Sequence, residues 1–228
     1  MAYHMVIMTI GKRESQRLAR RAHIISVARE HFFEHGYDGT VMSAVAARLG
    51  GSKGTLWNYF PSKEALFEAV VEDTAAGIRG QIEMPAAAEG DPIDRVTRLA
   101  RSIIDRVLSP IAVAMFRLIG PVADRRPEVG RIFFERGPSE TQRMIGDYLR
   151  DNFAELLWTE DYRQAGIDLV AMAGAEFHFE RMWGISKAPS GQLRDARARH
   201  AALLFLRSYA RDPDALVPRE LLAGVTES

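Results

Sequence analysis

Between Gly50 and Pro61 the chain reads GGSKGTLWNYFP, which leaves room for two helical turns and no more. Gly50-Gly51 can turn the chain before Ser52, a residue type that caps a helix by accepting from the amides just ahead. Pro61 ends the element, because it lacks an N–H and its ring crowds the preceding turn. Leu56 and Phe60 stand at i and i+4 on one face, so Lys53, Thr55, Trp57, Asn58 and Tyr59 are left for another task.

The residues before this stretch say what the task is. Apolar Leu18, Ile24, Ile25, Val27, Ala28, Phe32 and Phe33 predict a first helix over 16–35, stopped by Gly36. A second helix is expected over 41–49 with Thr40 as its cap, and a third over 53–60. Two short helices across a tight glycine turn make a helix-turn-helix, whose second helix enters the DNA major groove N-terminus first. Gly54 then lets the helix start approach the sugar-phosphate wall. Lys53 suits a phosphate or a guanine, Thr55 a thymine methyl, and Asn58 a bidentate pair with adenine. Tyr59 and Lys63 read as backbone clamps. The competing reading, aromatics as core, is strongest for Phe60.

Charge supports this division. The net charge is zero, yet residues 1–63 carry nine Lys/Arg against four Asp/Glu, so +5, leaving −5 for the remainder. A basic first part suits a polyanion. With no cysteine, disulfides, thiolate metal sites and cysteine nucleophiles are excluded. The opening MAYHMVIMTI precedes its basic residues, the reverse of a secretory signal, and no apolar run reaches membrane-spanning length. A cytoplasmic protein without a membrane partner is expected, with residues 1–14 a disordered or cloning-derived arm.

Period-two alternation is scarce, so the fold class is all-α. Ser62 should cap a long helix reaching the Pro85 region, with further helices near 93–108, 111–123, 128–155, 161–184, 192–211 and 215–223. The division expected is a DNA-binding domain over 15–62 and a larger domain over 63–228.

Residues 24–72, IISVAREHFFEHGYDGTVMSAVAARLGGSKGTLWNYFPSKEALFEAVVE, resemble the DNA-binding domain of TetR-family transcriptional regulators. The resemblance lies in the Phe-x-x-x-Gly-Tyr helix end, the Thr40 cap, Ser-Lys-Gly-Thr-Leu and the Tyr-Phe-x-x-Lys-Glu-x-Leu exit. It implies that Thr40 caps the second helix and touches a phosphate, that Ser52, Lys53, Gly54 and Thr55 sit at the groove, and that Tyr59 and Lys63 hold phosphates. Trp57 and Asn58 depart from the family's usual tyrosine and histidine, which points to a different base preference. Gly51 replaces a branched apolar residue, which should loosen the packing of the second and third helices. The basic stretch KRESQRLARR, residues 12–21, either reaches flanking DNA or forms a solvated first turn.

Residues 108–138 are similar to the C-terminal domain of the AefR-like branch, which implies a helical ligand-binding and dimerisation domain. Aromatic and polar residues nominate Phe116, Arg117, Phe133, Phe134, Phe177, His178 and Arg181 for an effector pocket. Broad apolar faces nominate Met172, Ala201, Leu204, Phe205 and Tyr209 for a homodimer interface. The function expected is a regulator, not an enzyme, without cofactor or metal, released from a palindromic operator by a small molecule. A rival reading takes HFFEH, residues 31–35, as a zinc hydrolase pattern of His31, Glu34 and His35. It needs a further acidic ligand on a distant helix, and it sets both histidines on a solvent face.

Overall fold

The computed structural model describes residues 11–50, 53–86 and 90–217, and apart from one isolated bridge between Leu157 and Ala210 its regular structure there is helical. The chain forms two compact units, residues 1–70 and 71–228.

In the first unit, α1 spans Lys12–Gly39, α2 Met42–Arg48, α3 Lys53–Tyr59, and the first turns of α4 (Lys63–Arg79) complete it. Helix α1 starts earlier than predicted, so the basic stretch from Lys12 is helical rather than an arm. Gly36 interrupts it with φ 72° and ψ 173°, a backbone setting that suits a residue without Cβ. The apolar stripe is shorter than expected: Leu18 is 47% exposed, and burial begins at Ile24. The core is aromatic, with Phe32, Tyr37 and Phe67 mutually packed at ring separations of 5.1–5.9 Å. Leu56 and Phe60 are buried in this unit, as their helical phase predicts.

The second unit contains α5 (Pro92–Val107), α6 (Pro110–Ala123), α7 (Pro127–Arg136), α8 (Pro138–Phe153), α9 (Tyr162–Trp183), α10 (Gly191–Tyr209) and α11 (Pro213–Leu216). The single helix predicted over 128–155 is two, because Gly137 leaves helical angles and Pro138 restarts the chain. Asp91, Ser109, Asp161 and Ser190 each cap the helix that follows by accepting a backbone amide.

Helices α8 and α9 cross at two glycines. A Cβ on Gly166 would lie 2.5 Å from Gln142 O, and one on Gly146 2.5 Å from Tyr162 O, so only glycine permits this approach. Leu99, Ile103, Leu149, Leu169, Ala201 and Phe205 are all 0% exposed and form the core between α5, α8, α9 and α10. Burial of one such Leu or Phe side chain stabilises by about 1.5–3 kcal/mol.

This core corrects the interface nominated from sequence. Ala201 and Phe205 are wholly enclosed within their own subunit, and Tyr209 is buried with its hydroxyl donating to Asp168 Oδ2 at 2.5 Å. Burial, and then that Asp168 carboxylate, push the pKa of the Tyr209 hydroxyl up to about 12. Met172 is half-buried against the same core, and Leu204 is half-buried on α10.

Candidate nucleic-acid interface and internal cavity

Helix α3 is two-faced. Leu56 (1% exposed) and Phe60 (3%) anchor it, whereas Gly54, Trp57 and Asn58 are exposed and Thr55 and Tyr59 half-buried. Ser52, Gly51 and the side chain of Lys53 lie outside the described residues. Beside the polar face runs the N-terminal part of α1: Arg17 and Arg21 share a cleft with Asn58 and Tyr59, and the Arg21 guanidinium lies 5.3 Å from the centre of the Phe60 ring. Two guanidinium groups and the Glu14 carboxylate thus line the exposed edge of α3, a net positive charge that favours anions such as a phosphate backbone.

Thr40 corrects its assignment. It is fully buried, its hydroxyl donates to Gly36 O at 2.8 Å, and the cap position of α2 falls to Val41, which offers no side-chain cap. Its side chain ties the break in α1 together and does not reach the surface where a phosphate would sit. The Thr40 oxygen in turn accepts from His31 Nδ1 at 3.3 Å.

His31 is buried rather than solvent-facing, stacks on His35 at 4.2 Å, and has its pKa pushed down by that burial and by the neighbouring His35. Glu34 is occupied by Arg48, whose bond holds the carboxylate below its usual range. His31 is thus tied to Thr40 and Glu34 to Arg48, while His35 stacks on His31 and lies 3.8 Å from Glu34 Oε2. Among the described residues no cluster of acidic and imidazole groups is placed to hold a metal.

Lys63 has a tether as well. Its ammonium donates to Tyr37 O at 3.0 Å and sits 4.4 Å over the Tyr37 ring, while the Tyr37 hydroxyl donates to Glu64 Oε1 at 3.0 Å. Ser62 caps α4 as expected, accepting from Ala65 N at 3.1 Å. Tyr37, which links the end of α1 to the start of α4, had no role in the sequence reading beyond the Gly-Tyr pair.

The second unit contains a partly open, apolar cavity of about 110 Å³. Of the nominated pocket residues, Phe116 and Phe133 line it and meet edge to face at 4.9 Å. His178 stands behind Phe116, its ring 4.3 Å away. The others are corrected: Phe134 is 53% exposed, Phe177 belongs to the core, and Arg181 does not line the cavity. Arg117 turns to the end of α9, where its guanidinium donates to Met182 O and Arg181 O.

Sequence reasoning missed Thr74, Ile78 and Met115 in the cavity wall. It also missed Phe179, Trp183, Ile185 and Leu193, which leave an apolar surface 50–71% exposed around the end of α9 and the start of α10.

An aromatic-cored helix-turn-helix unit followed by a larger helical unit defines the class of two-part, all-helical helix-turn-helix proteins. Residues 24–70 match the bacterial regulatory proteins of the tetR family, and residues 94–211 match the AefR-like transcriptional repressor C-terminal domain. The chain belongs to the TetR family. It is 42% identical over 65 residues to the HTH-type transcriptional regulator RutR of Escherichia coli, a match spanning 28% of this chain and 31% of that one. The HTH-type transcriptional repressor AcnR of Corynebacterium diphtheriae is 39% identical over 57 residues, 25% of this chain and 30% of the relative. The chain thus spans about a third of the length of these curated relatives.

Two solved structures extend the likeness. A TetR-family regulator from Mesorhizobium loti has a TM-score of 0.71 at 29% identity, covering 84% of this chain and 98% of that one. The flavonoid-responsive regulator FrrA has a TM-score of 0.75 at 27% identity, covering 85% and 98%. Among the described residues no helix is long and apolar enough to cross a membrane.

Proposed function

We propose that this chain is a homodimeric, non-enzymatic repressor that holds a palindromic operator through α3 and lets it go when a small molecule enters the cavity of the second unit. The carrying observation is the two-faced α3: Leu56 and Phe60 anchor the helix, and Trp57 and Asn58 are left exposed, Asn58 in a cleft with Arg17 and Arg21. Asn58 reads a base, and the arginines and Tyr59 set register on the backbone. RutR and AcnR support the DNA-binding role, and the name of AcnR supports repression.

The apolar surface of Phe179, Trp183, Ile185 and Leu193 suits burial against a second copy, since a two-fold pair presents the same patch to itself. Two α3 helices about one helical turn apart then match a palindrome. The response of FrrA to flavonoids supports an organic effector here. A ligand that binds only the form with the wrong helix spacing weakens operator binding by the ratio of its affinities for the two forms.

The test is selection of bound duplexes from a random DNA library at about 0.15 M salt, where non-specific phosphate binding is suppressed. An enriched palindrome is expected. Enrichment of nothing, both alone and with cell extract added, would refute the operator reading.

A further inference from the structure

We infer that the first part of α1, residues 12–23, is a second DNA-contacting element, which lays a row of arginines on phosphates flanking the site taken by α3. The inference rests on the reading of α3 as the operator helix, and it adds a separate contact that reads no base.

This part of α1 contributes nothing to the core. Residues 12–19 and 21–23 are exposed and Arg20 is half-buried, so burial starts only at Ile24. At about 1.5 Å per residue the segment is about 18 Å long. Its Lys, Arg, Glu, Gln, Leu and Ala residues favour the helical backbone, which lets the helix continue without packing.

Its charges work against that helix. Lys12 and Arg13 lie in the first turn, at the positive end of the helix dipole, and Gly11 ahead of them offers no side-chain cap. Arg13 and Arg17 are four residues apart, as are Arg17 and Arg21, and Arg17 and Arg20 are three apart, so like charges neighbour one another along one side. Glu14 is the only acidic residue of the segment. Among the described residues none of these four arginines has a carboxylate partner, whereas Arg48, Arg143, Arg150 and Arg194 each have one. A row of cations set against helix stability and left without internal partners is complemented by an outside polyanion.

Position says which polyanion. Arg17 and Arg21 share a cleft with Glu14, Leu18 and two residues of α3, Asn58 and Tyr59, and Arg21 also lies over the Phe60 ring. The segment is therefore held against α3, and a duplex bound by α3 brings its own backbone beside the row. With phosphates spaced by about 3.4 Å of rise along each strand, about 18 Å of helix is long enough to follow about five of them. A guanidinium matches a phosphate with two parallel hydrogen bonds and gains no sequence information there. An anionic membrane offers the same charge but gives no reason for the row to lie beside α3.

The experiment measures the affinity of the full-length protein for its enriched duplex between about 0.05 and 0.2 M salt. Wild type is compared with Arg13→Gln/Arg20→Gln and with Arg13→Lys/Arg20→Lys, both exchanged together in each variant. Where selection enriches nothing, a duplex of unrelated sequence serves, so failure of the operator reading stays separate from failure of this inference. The glutamine variant should make log affinity against log salt shallower by roughly two per bound subunit, about 0.9 for each phosphate given up. The lysine variant should keep the wild-type slope, and both should enrich the same sequence as wild type. An unchanged slope in the glutamine variant, an equally shallow slope in the lysine variant, or an altered enriched sequence overturns the inference. Loss of binding to phosphatidylserine vesicles in the glutamine variant, at an unchanged DNA slope, would assign the row to a lipid surface instead.

Discussion

The two units of this chain use apolar residues differently, and the difference decides how far each can be read in advance. In the first unit α2 and α3 have 7 residues each, and α3 has a single anchoring face, Leu56 with Phe60, so helical phase sorts its described side chains at once. In the second unit α9 and α10 run for 22 and 19 residues with apolar positions spread over more than one face. Such a helix meets neighbours on several sides, and phase alone does not say whether a phenylalanine faces core, cavity or a second subunit.

The sharpest way to break that comparison is at Phe205, which sequence placed in the dimer interface and the structure places in the core. Phe205→Ala should lower unfolding free energy by about 3–5 kcal/mol in urea. Its dimerisation constant should hold where the protein stays folded; selective loss of dimerisation at unchanged stability would return Phe205 to the interface. The converse change, Trp183→Ser with Ile185→Ser, should weaken the dimer by at least about 2 kcal/mol in sedimentation equilibrium while the monomer stays folded. A dimer unaffected by this pair would place the interface elsewhere.

The crossing of α8 and α9 is the next target. Gly166→Ala should destabilise the second unit by about 1–3 kcal/mol, since the added Cβ meets backbone that cannot swing aside. Unchanged thermal stability would mean that the helices separate without loss.

In the first unit Asn58→Ala should cost about 1–3 kcal/mol on the best duplex and relax preference at one base pair per half-site. Equal loss on all sequences would reassign Asn58 to the backbone. Lys63→Ala makes a finer distinction. If the tether to Tyr37 O gives way to a phosphate, affinity falls evenly and the salt slope becomes shallower by about one; if the tether persists on DNA, only stability falls.

The smallest effect concerns pH. Because the pKa of His31 is depressed in the folded state, the unfolded chain binds the extra proton first. The stability it supports is complete above its ordinary value near 6.5 and is lost as pH falls through the lower folded value. His31→Gln should flatten that acid limb in denaturation curves recorded between neutral and mildly acid pH. His178 and His200, also depressed by burial, lie in the second unit and should leave their own part of the slope in place.

Thr40 and Thr74 show what was beyond the reach of pattern. A threonine ahead of a helix reads as a cap, yet Thr40 turns inward because His31 and Gly36 O offer it partners that its position in the chain does not reveal. Thr74 sits among alanines and valines in α4, with no local sign that a void lies opposite. Phe116 and Phe133 were legible as cavity residues because large aromatics near polar groups are rare enough to nominate. Their neighbour Phe134 carries the same signal and points to solvent.

Read by itself, the sequence determined the all-α class, the positions of most helices and the two faces of α3, because helical period, capping residues and proline stops act within a few residues of where they stand. It also carried the family, through a motif whose spacing is local. The break at Gly137, the closeness of α8 to α9, the burial of Phe205, the exposure of Trp183 and the empty space beside Thr74 were decided only by the tertiary structure. Each depends on which distant helix lies opposite, and an apolar side chain carries the same label whatever it meets.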